Sequence, residues 1–215
     1  DDKDQIEPTR PNALKYLVGK AGKTADIVIL DLKPAYSTNM SRVERCAIYL
    51  KQQQCFVILD RLESGDGQKH LYESRIHLNN IRHDAKLTQN GNQLHYYHPL
   101  AEMSIVTGCD SNNVNRVGKS FVCSDLYNKF DKRQDDERKK GNAIQLIYGD
   151  PKPRQKNIIF AAMRLSRPGE NKKVSASYKN GVLAVENATL RLLPNGVSVV
   201  TDGVTEDFTY SKKEN

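Results

Sequence analysis

The residues able to do chemistry are scattered along this chain. Five histidines occur, at His70, His77, His83, His95 and His98. Histidines that share a metal across a β-sheet recur at i, i+2 on one face, whereas His95 and His98 are three apart and fall on opposite faces of a strand. No HExxH, HxH or CxxC spacing is present, so the pattern predicts no metal site and no dithiol redox motif. Walker, GxGxxG and GxSxG motifs are missing too, so the sequence implies no cofactor and no serine-hydrolase site. Carboxylates are abundant, but no pair stands in a context that points to glycosidase chemistry; two of them meeting through folding stays open.

Two positions stand out as candidate substrate contacts, Arg61 and His77. Asp60-Arg61 ends a strongly apolar run, where charge is unexpected. Its functional reading is a contact to a ligand or a neighbouring domain. Its structural reading is that Asp60 caps backbone amides while Arg61 pairs with a nearby acid, Glu63 or Glu44. His77 closes the segment Leu71–His77, and either touches substrate at a domain boundary or sits half-buried and satisfied. Tyr72, Tyr96 and Tyr97 could form a platform for sugar stacking, or simply pack the sheet. Tryptophan is absent, which argues against a dedicated carbohydrate-binding site.

The elements that must position these residues read as strands. Ala25–Asp31, Arg42–Leu50 and Cys55–Leu62 are apolar and β-branched, and the polar tetrapeptide Lys51–Gln54 between the last two predicts a hairpin. Further strand signals fall at 70–78, 93–97, 103–107, 143–148, 158–165, 173–178, 182–185, 189–193 and 197–201. Turns are marked by Ser64–Gly67, Asn90-Gly91, Pro168-Gly169, Asn180-Gly181 and Pro194–Gly196. Many short strands at regular spacing, with no long amphipathic helix, predict an all-β fold, an antiparallel two-sheet β-sandwich spanning 25–212. Residues 1–24, broken by Pro8, Pro11, Gly19 and Gly22, are expected to be an irregular lead-in or linker. Residues 110–142, almost wholly charged at 129–140, are expected to form an insertion loop.

Bulk properties narrow the partners. The chain has 215 residues, a formal net charge of +7 and a mean hydropathy of −0.67. A basic surface favours polyanions or is simply solvated. Without a dense Lys/Arg arm, zinc-finger spacing or aromatic RNA-binding motif, nucleic acid is not expected as a partner. No apolar run approaches the length of a membrane span. Four cysteines, Cys46, Cys55, Cys109 and Cys123, are free thiols or disulfides; Cys109–Cys123 is the better candidate pair, because Cys46 and Cys55 are not opposite in a tight hairpin. Asn39-Met-Ser41 and Asn187-Ala-Thr189 match the N-glycosylation acceptor. The opening Asp1-Asp2-Lys3-Asp4 is unlike a natural domain start; it reads as the remnant of an affinity-tag cleavage site or as a cut inside a longer polypeptide, and with either origin a fragment of something larger is expected.

Across residues 25 to 210 the order of features resembles the C-terminal part of heparinase II/III-like polysaccharide lyases. The matching stretches are Ala25-Asp26-Ile27 with Ala35-Tyr36, Arg42–Arg45, Val57–Leu62 around Asp60-Arg61, His70 with Ile76-His77, Gly91–Leu94, and the late strand from Asn157 to Pro168. The resemblance implies a secreted or periplasmic protein that degrades acidic, uronic-acid-containing polysaccharide by β-elimination. It also implies that an upstream helical catalytic domain carries the chemistry. The family's histidine-rich catalytic and metal motif has no counterpart here, so no catalytic or metal-binding residue carries over. A non-enzymatic carbohydrate-binding or adhesion sandwich is the alternative.

Overall fold

The computed structural model describes residues 15–36, 39–80, 82–120 and 143–211. In chain order the strands are β1 Lys15–Ala21, β2 Ala25–Asp31, β3 Met40–Leu50, β4 Cys55–Ser64, β5 Glu73–Asn79, β6 Lys86–Asn90, β7 Gln93–His98, β8 Ala101–Cys109 and β9 Val114–Ser120. They continue with β10 Ala143–Gly149, β11 Lys156–Ser166, β12 Ala176–Lys179, β13 Val182–Val185, β14 Ala188–Leu193, β15 Gly196–Thr201 and β16 Val204–Thr209. No α-helix occurs among the described residues, and no helix there is long and apolar enough to cross a membrane.

The strands form three antiparallel sheets. An eight-stranded sheet runs β1-β2-β3-β4-β11-β8-β7-β6, a three-stranded sheet β5-β10-β9, and a five-stranded meander β12 to β16. The expected antiparallel sandwich is met, with three layers in place of two. Alternation along the strands of the large sheet explains why. Ala25, Ile27 and Ile29 of β2, Cys46 and Ile48 of β3, and Phe160 and Ala162 of β11 join one core with Leu190, Val199 and Phe208 of the meander. Their neighbours Val43, Ile105, Ile159 and Ala161 point the other way, into a second core with Leu78, Leu146 and Tyr148 of the three-stranded sheet. A strand whose successive side chains leave opposite faces can serve two cores at once. The meander is tightened by Asn180-Gly181 (φ 51° and 80°) and Asp202-Gly203 (φ 49° and 77°), the paired positive φ values of type I′ hairpin turns.

Two segments expected to be irregular contain strands. Residues 15–21 are not irregular: they form β1 and pair with β2 along its length. As an edge strand, β1 contributes only Leu17 and Val18 to the core, so it carries no strong apolar alternation. Within the expected 110–142 loop, Val114–Ser120 forms β9 and pairs with β10 from Val114↔Gly149 to Ala143↔Ser120. Its side chains are largely polar because it borders a small sheet. The charged run 129–140 and Cys123 lie outside the described residues.

Cys46 faces Leu59 and Cys55 faces Leu50 across β3 and β4, so the two thiols are offset and both are free and buried. Burial raises both thiols, Cys55 to about 11.

Candidate functional site

Asp60 and Arg61 are set into β4 opposite Arg45 and Glu44 of β3. Because adjacent side chains leave opposite faces, the two charges go to different cores. Asp60 accepts from Arg45 Nε at 2.7 Å and Arg45 Nη2 at 2.8 Å, a bidentate pair, and from the hydroxyl of Ser74 on β5. The hydrogen bond to Asp60 holds Arg45 more firmly protonated, and burial, with Asp60 nearby, raises the phenol of Tyr148 beneath it. On the other face Arg61 Nη1 donates to Glu44 Oε1 at 3.0 Å and approaches the carbonyl of Gly196 on β15 at 3.4 Å. The hydroxyl of Tyr210 donates to Glu44 Oε2 at 2.5 Å, and its own phenol is pushed up to about 12 by burial and by that carboxylate. Each half of the dipeptide therefore ties the central sheet to one outer sheet.

Of the two acids weighed for Arg61, the structure selects Glu44. Asp60 holds a guanidinium and a hydroxyl, where the sequence suggested backbone amides. At 7% exposure, and engaged by Glu44 and Gly196, Arg61 offers no open face to a glycan in this arrangement.

His77 lies elsewhere, exposed on the outer face of the three-stranded sheet. It sits opposite Gln145 of β10, with 3.1 Å between His77 Nε2 and Gln145 Nε2. Arg75 and Asn79 share its side of β5 and are exposed. Arg116 on β9 reaches over β10 to form an ion pair with Glu73. Gly118, opposite Gln145, has nothing within 4 Å of the place a Cβ would occupy, so this face is open there. The face offers amide, imidazole and guanidinium groups with a single paired carboxylate, a donor set suited to hydroxyls and acidic groups of a sugar chain.

The other marked residues do not converge on it. Tyr72 and Tyr96 are buried, the latter donating to Asn79 O at 2.6 Å, while Tyr97 is exposed, so the three tyrosines make no common stacking platform. His70 meets Asp66 at 2.9 Å, His95 lies 3.7 Å from Glu102, and His98 lies 3.7 Å from Asp84. Among the described residues no three His, Cys, Asp or Glu side chains gather as metal ligands do. Gln145, Ser74 and Tyr210 carry the contacts that the sequence reading left unmarked. Their partners are 68, 14 and 166 residues away, and no local pattern signals such pairs.

An architecture of this kind occurs in polysaccharide lyases. The fold matches a solved heparinase III with a TM-score of 0.57 at 12% identity, covering 92% of this chain and 27% of that one. It also matches the heparan sulfate lyase HepC from Pedobacter heparinus, with a TM-score of 0.54 at 9% identity over 94% of this chain and 28% of that one. A mutant of HepC gives a TM-score of 0.53 at 10% identity over 91% and 27%. This chain thus spans little more than a quarter of the length of these lyases. The shared fold agrees with the resemblance read from residues 25 to 210. No family model matches the sequence, and no curated protein does.

Proposed function

We propose that this chain is an accessory β-sandwich domain of a polysaccharide lyase that cleaves acidic, uronic-acid-containing glycans. One observation carries the reading: nearly the whole chain shares a fold with lyases in which that fold fills only about a quarter of the polypeptide. In β-elimination a base takes the proton α to the uronate carboxylate, the glycosidic oxygen leaves from the β-carbon, and an unsaturated uronate remains. An upstream helical domain of the same polypeptide supplies the base and acid in this reading, and the present domain buttresses it and walls the cleft. The net charge of +7 would concentrate a polyanionic substrate. His77 and its neighbours on the outer sheet are the surface proposed to touch glycan. A secreted or periplasmic location goes with the same reading.

The test compares the full-length polypeptide with the 215-residue chain on heparan sulfate, hyaluronan and alginate, following ultraviolet absorbance of unsaturated product. Cleavage by the full-length protein alone is the expected result. Robust cleavage by the 215-residue chain overturns the accessory role. The open face around His77 also favours a second reading, a glycan-binding module without an enzyme. Salt-sensitive glycan binding, with no cleavage by the full-length polypeptide, would select it.

A further inference from the structure

We infer that the bare half of the large sheet is the docking surface for another domain of the same polypeptide, one that presents an apolar protein surface. The inference rests on reading the chain as one domain of a longer lyase.

The three-stranded sheet covers only part of the face it packs against. Register carries the rows of that face from β11 and β8 across β4 and β3 to β2: Ala161↔Ile58, Ile58↔Ala47, Ala47↔Val28 in one, and Met163↔Phe56, Phe56↔Tyr49 in the next. Ala161 lies in the core under the three-stranded sheet. Further along the same rows the cover ends. Val28 is 38% exposed and Phe56 45%, and Ala47, Tyr49 and Ile58 are only partly buried. Tyr16 of β1, 66% exposed, borders the patch, its phenol lying over Gly19 where a Cβ would sit. The rings of Tyr49 and Phe56 stand 4.8 Å apart along one side. Leu165, at 53% exposure, prolongs the surface along β11.

The chemistry of the rim selects the occupant. Asp26 is matched by Lys51 at 2.8 Å, and Arg45 by Asp60 at 2.7 Å. With these charges matched, the patch offers a polyanion little, and its floor suits aliphatic and aromatic side chains. Exposed apolar side chains that adjoin one another within a polar rim, as Tyr16, Val28 and Phe56 do here beside the partly buried Tyr49, mark contact sites. It continues an interface the sheet already makes, and β1, where chain enters the sheet at Lys15, runs along its rim. In the three matched lyase structures, two of them of HepC, this fold occupies 27–28% of the chain, leaving ample polypeptide to cover such a face.

Hydroxyl-radical footprinting of Tyr16, Tyr49 and Phe56 tests the inference, comparing the full-length polypeptide with the 215-residue chain. A severalfold drop in labelling in the full-length protein is expected. A Val28→Lys, Phe56→Lys double variant should restore the labelling of Tyr16 and Tyr49, while Val204→Lys, on the exposed edge of the meander, should not. Because both replaced side chains are already exposed, the variant chain should keep its thermal midpoint. Equal labelling in the two proteins overturns the inference. So does a concentration-dependent dimer of the 215-residue chain that Phe56→Lys abolishes, which would make a second copy the occupant. Glycan cleavage measured on the same full-length sample separates the two ideas. Cleavage without protection sinks the docking surface alone; protection without cleavage sinks the lyase reading and leaves the surface standing.

Discussion

Asp60 and Arg61 are adjacent in the chain, yet their charges lie on opposite faces of one sheet, each closing an ion pair with a neighbour on β3. The two pairs differ in what they fasten. Asp60 reaches the three-stranded sheet through Ser74, and Arg61 reaches the meander through Gly196. The dipeptide works as a rivet through three layers.

Removing one partner of a buried pair should cost far more than removing both. Arg61→Met leaves the buried Glu44 carboxylate with only Arg42, 4.0 Å away and more exposed, as a cationic neighbour, a loss of roughly 3 kcal/mol, the low end for breaking a buried pair. Glu44→Gln combined with Arg61→Met keeps an acceptor for Tyr210 and should recover much of that. Urea denaturation of the two single variants and the double variant checks it; additive losses would show that the pair contributes no coupling.

Stability should fall in acid through Glu206. Its carboxylate accepts from the backbone amides of Lys23 and Thr24 and from the Thr24 hydroxyl, clasping β16 to the β1–β2 turn. Those bonds, the Thr24 hydroxyl first, hold its pKa at about 2 against an ordinary 4.5. A depressed folded pKa means the contribution is complete above 4.5 and is lost as pH drops toward 2. Glu206→Gln should therefore flatten the thermal midpoint across that window and leave its slope elsewhere unchanged.

Two glycines should respond differently to alanine. At Gly196, φ is 156° and a Cβ would lie 2.0 Å from the carbonyl oxygen of Phe208, on the residue whose own carbonyl faces Arg61. Gly203, at φ 77°, has nothing within 4 Å of that place. Gly203→Ala should cost about 1–2 kcal/mol, the left-handed penalty alone. Gly196→Ala should cost more, because backbone must shift. Equal denaturation midpoints for the two would refute the steric argument.

His77→Ala and Gln145→Ala should change folding stability by no more than about 0.5 kcal/mol, as exposed sites away from cores do. If their face touches glycan, each should weaken retention on immobilised heparan sulfate, and the loss should shrink as salt rises. Unchanged retention would remove this face from consideration.

Local pattern was enough for the strands that carry their own signal. Ala25–Asp31 and Val182–Val185 appear with the expected bounds, since apolar alternation and a flanking turn are encoded within a few residues. Strands β1, β6, β9 and β16 carried no such signal. They lie at the edges of their sheets, where one side of the ladder meets solvent and polar residues are tolerated. The strand that holds His77 is legible in the sequence, but its exposure depends on which side of β5 meets the second core.

The sequence alone determined an antiparallel all-β protein with a basic surface and no recognised catalytic motif, because alternation and turn chemistry are short-range properties. Tertiary structure alone decided that one sheet serves two cores, that Arg61 is spent inside the protein, and that an apolar face stays bare. Those outcomes depend on β4 pairing with β11 and β11 with β8. Contacts between strands so far apart in the chain are set by global packing, and no local window of residues contains them.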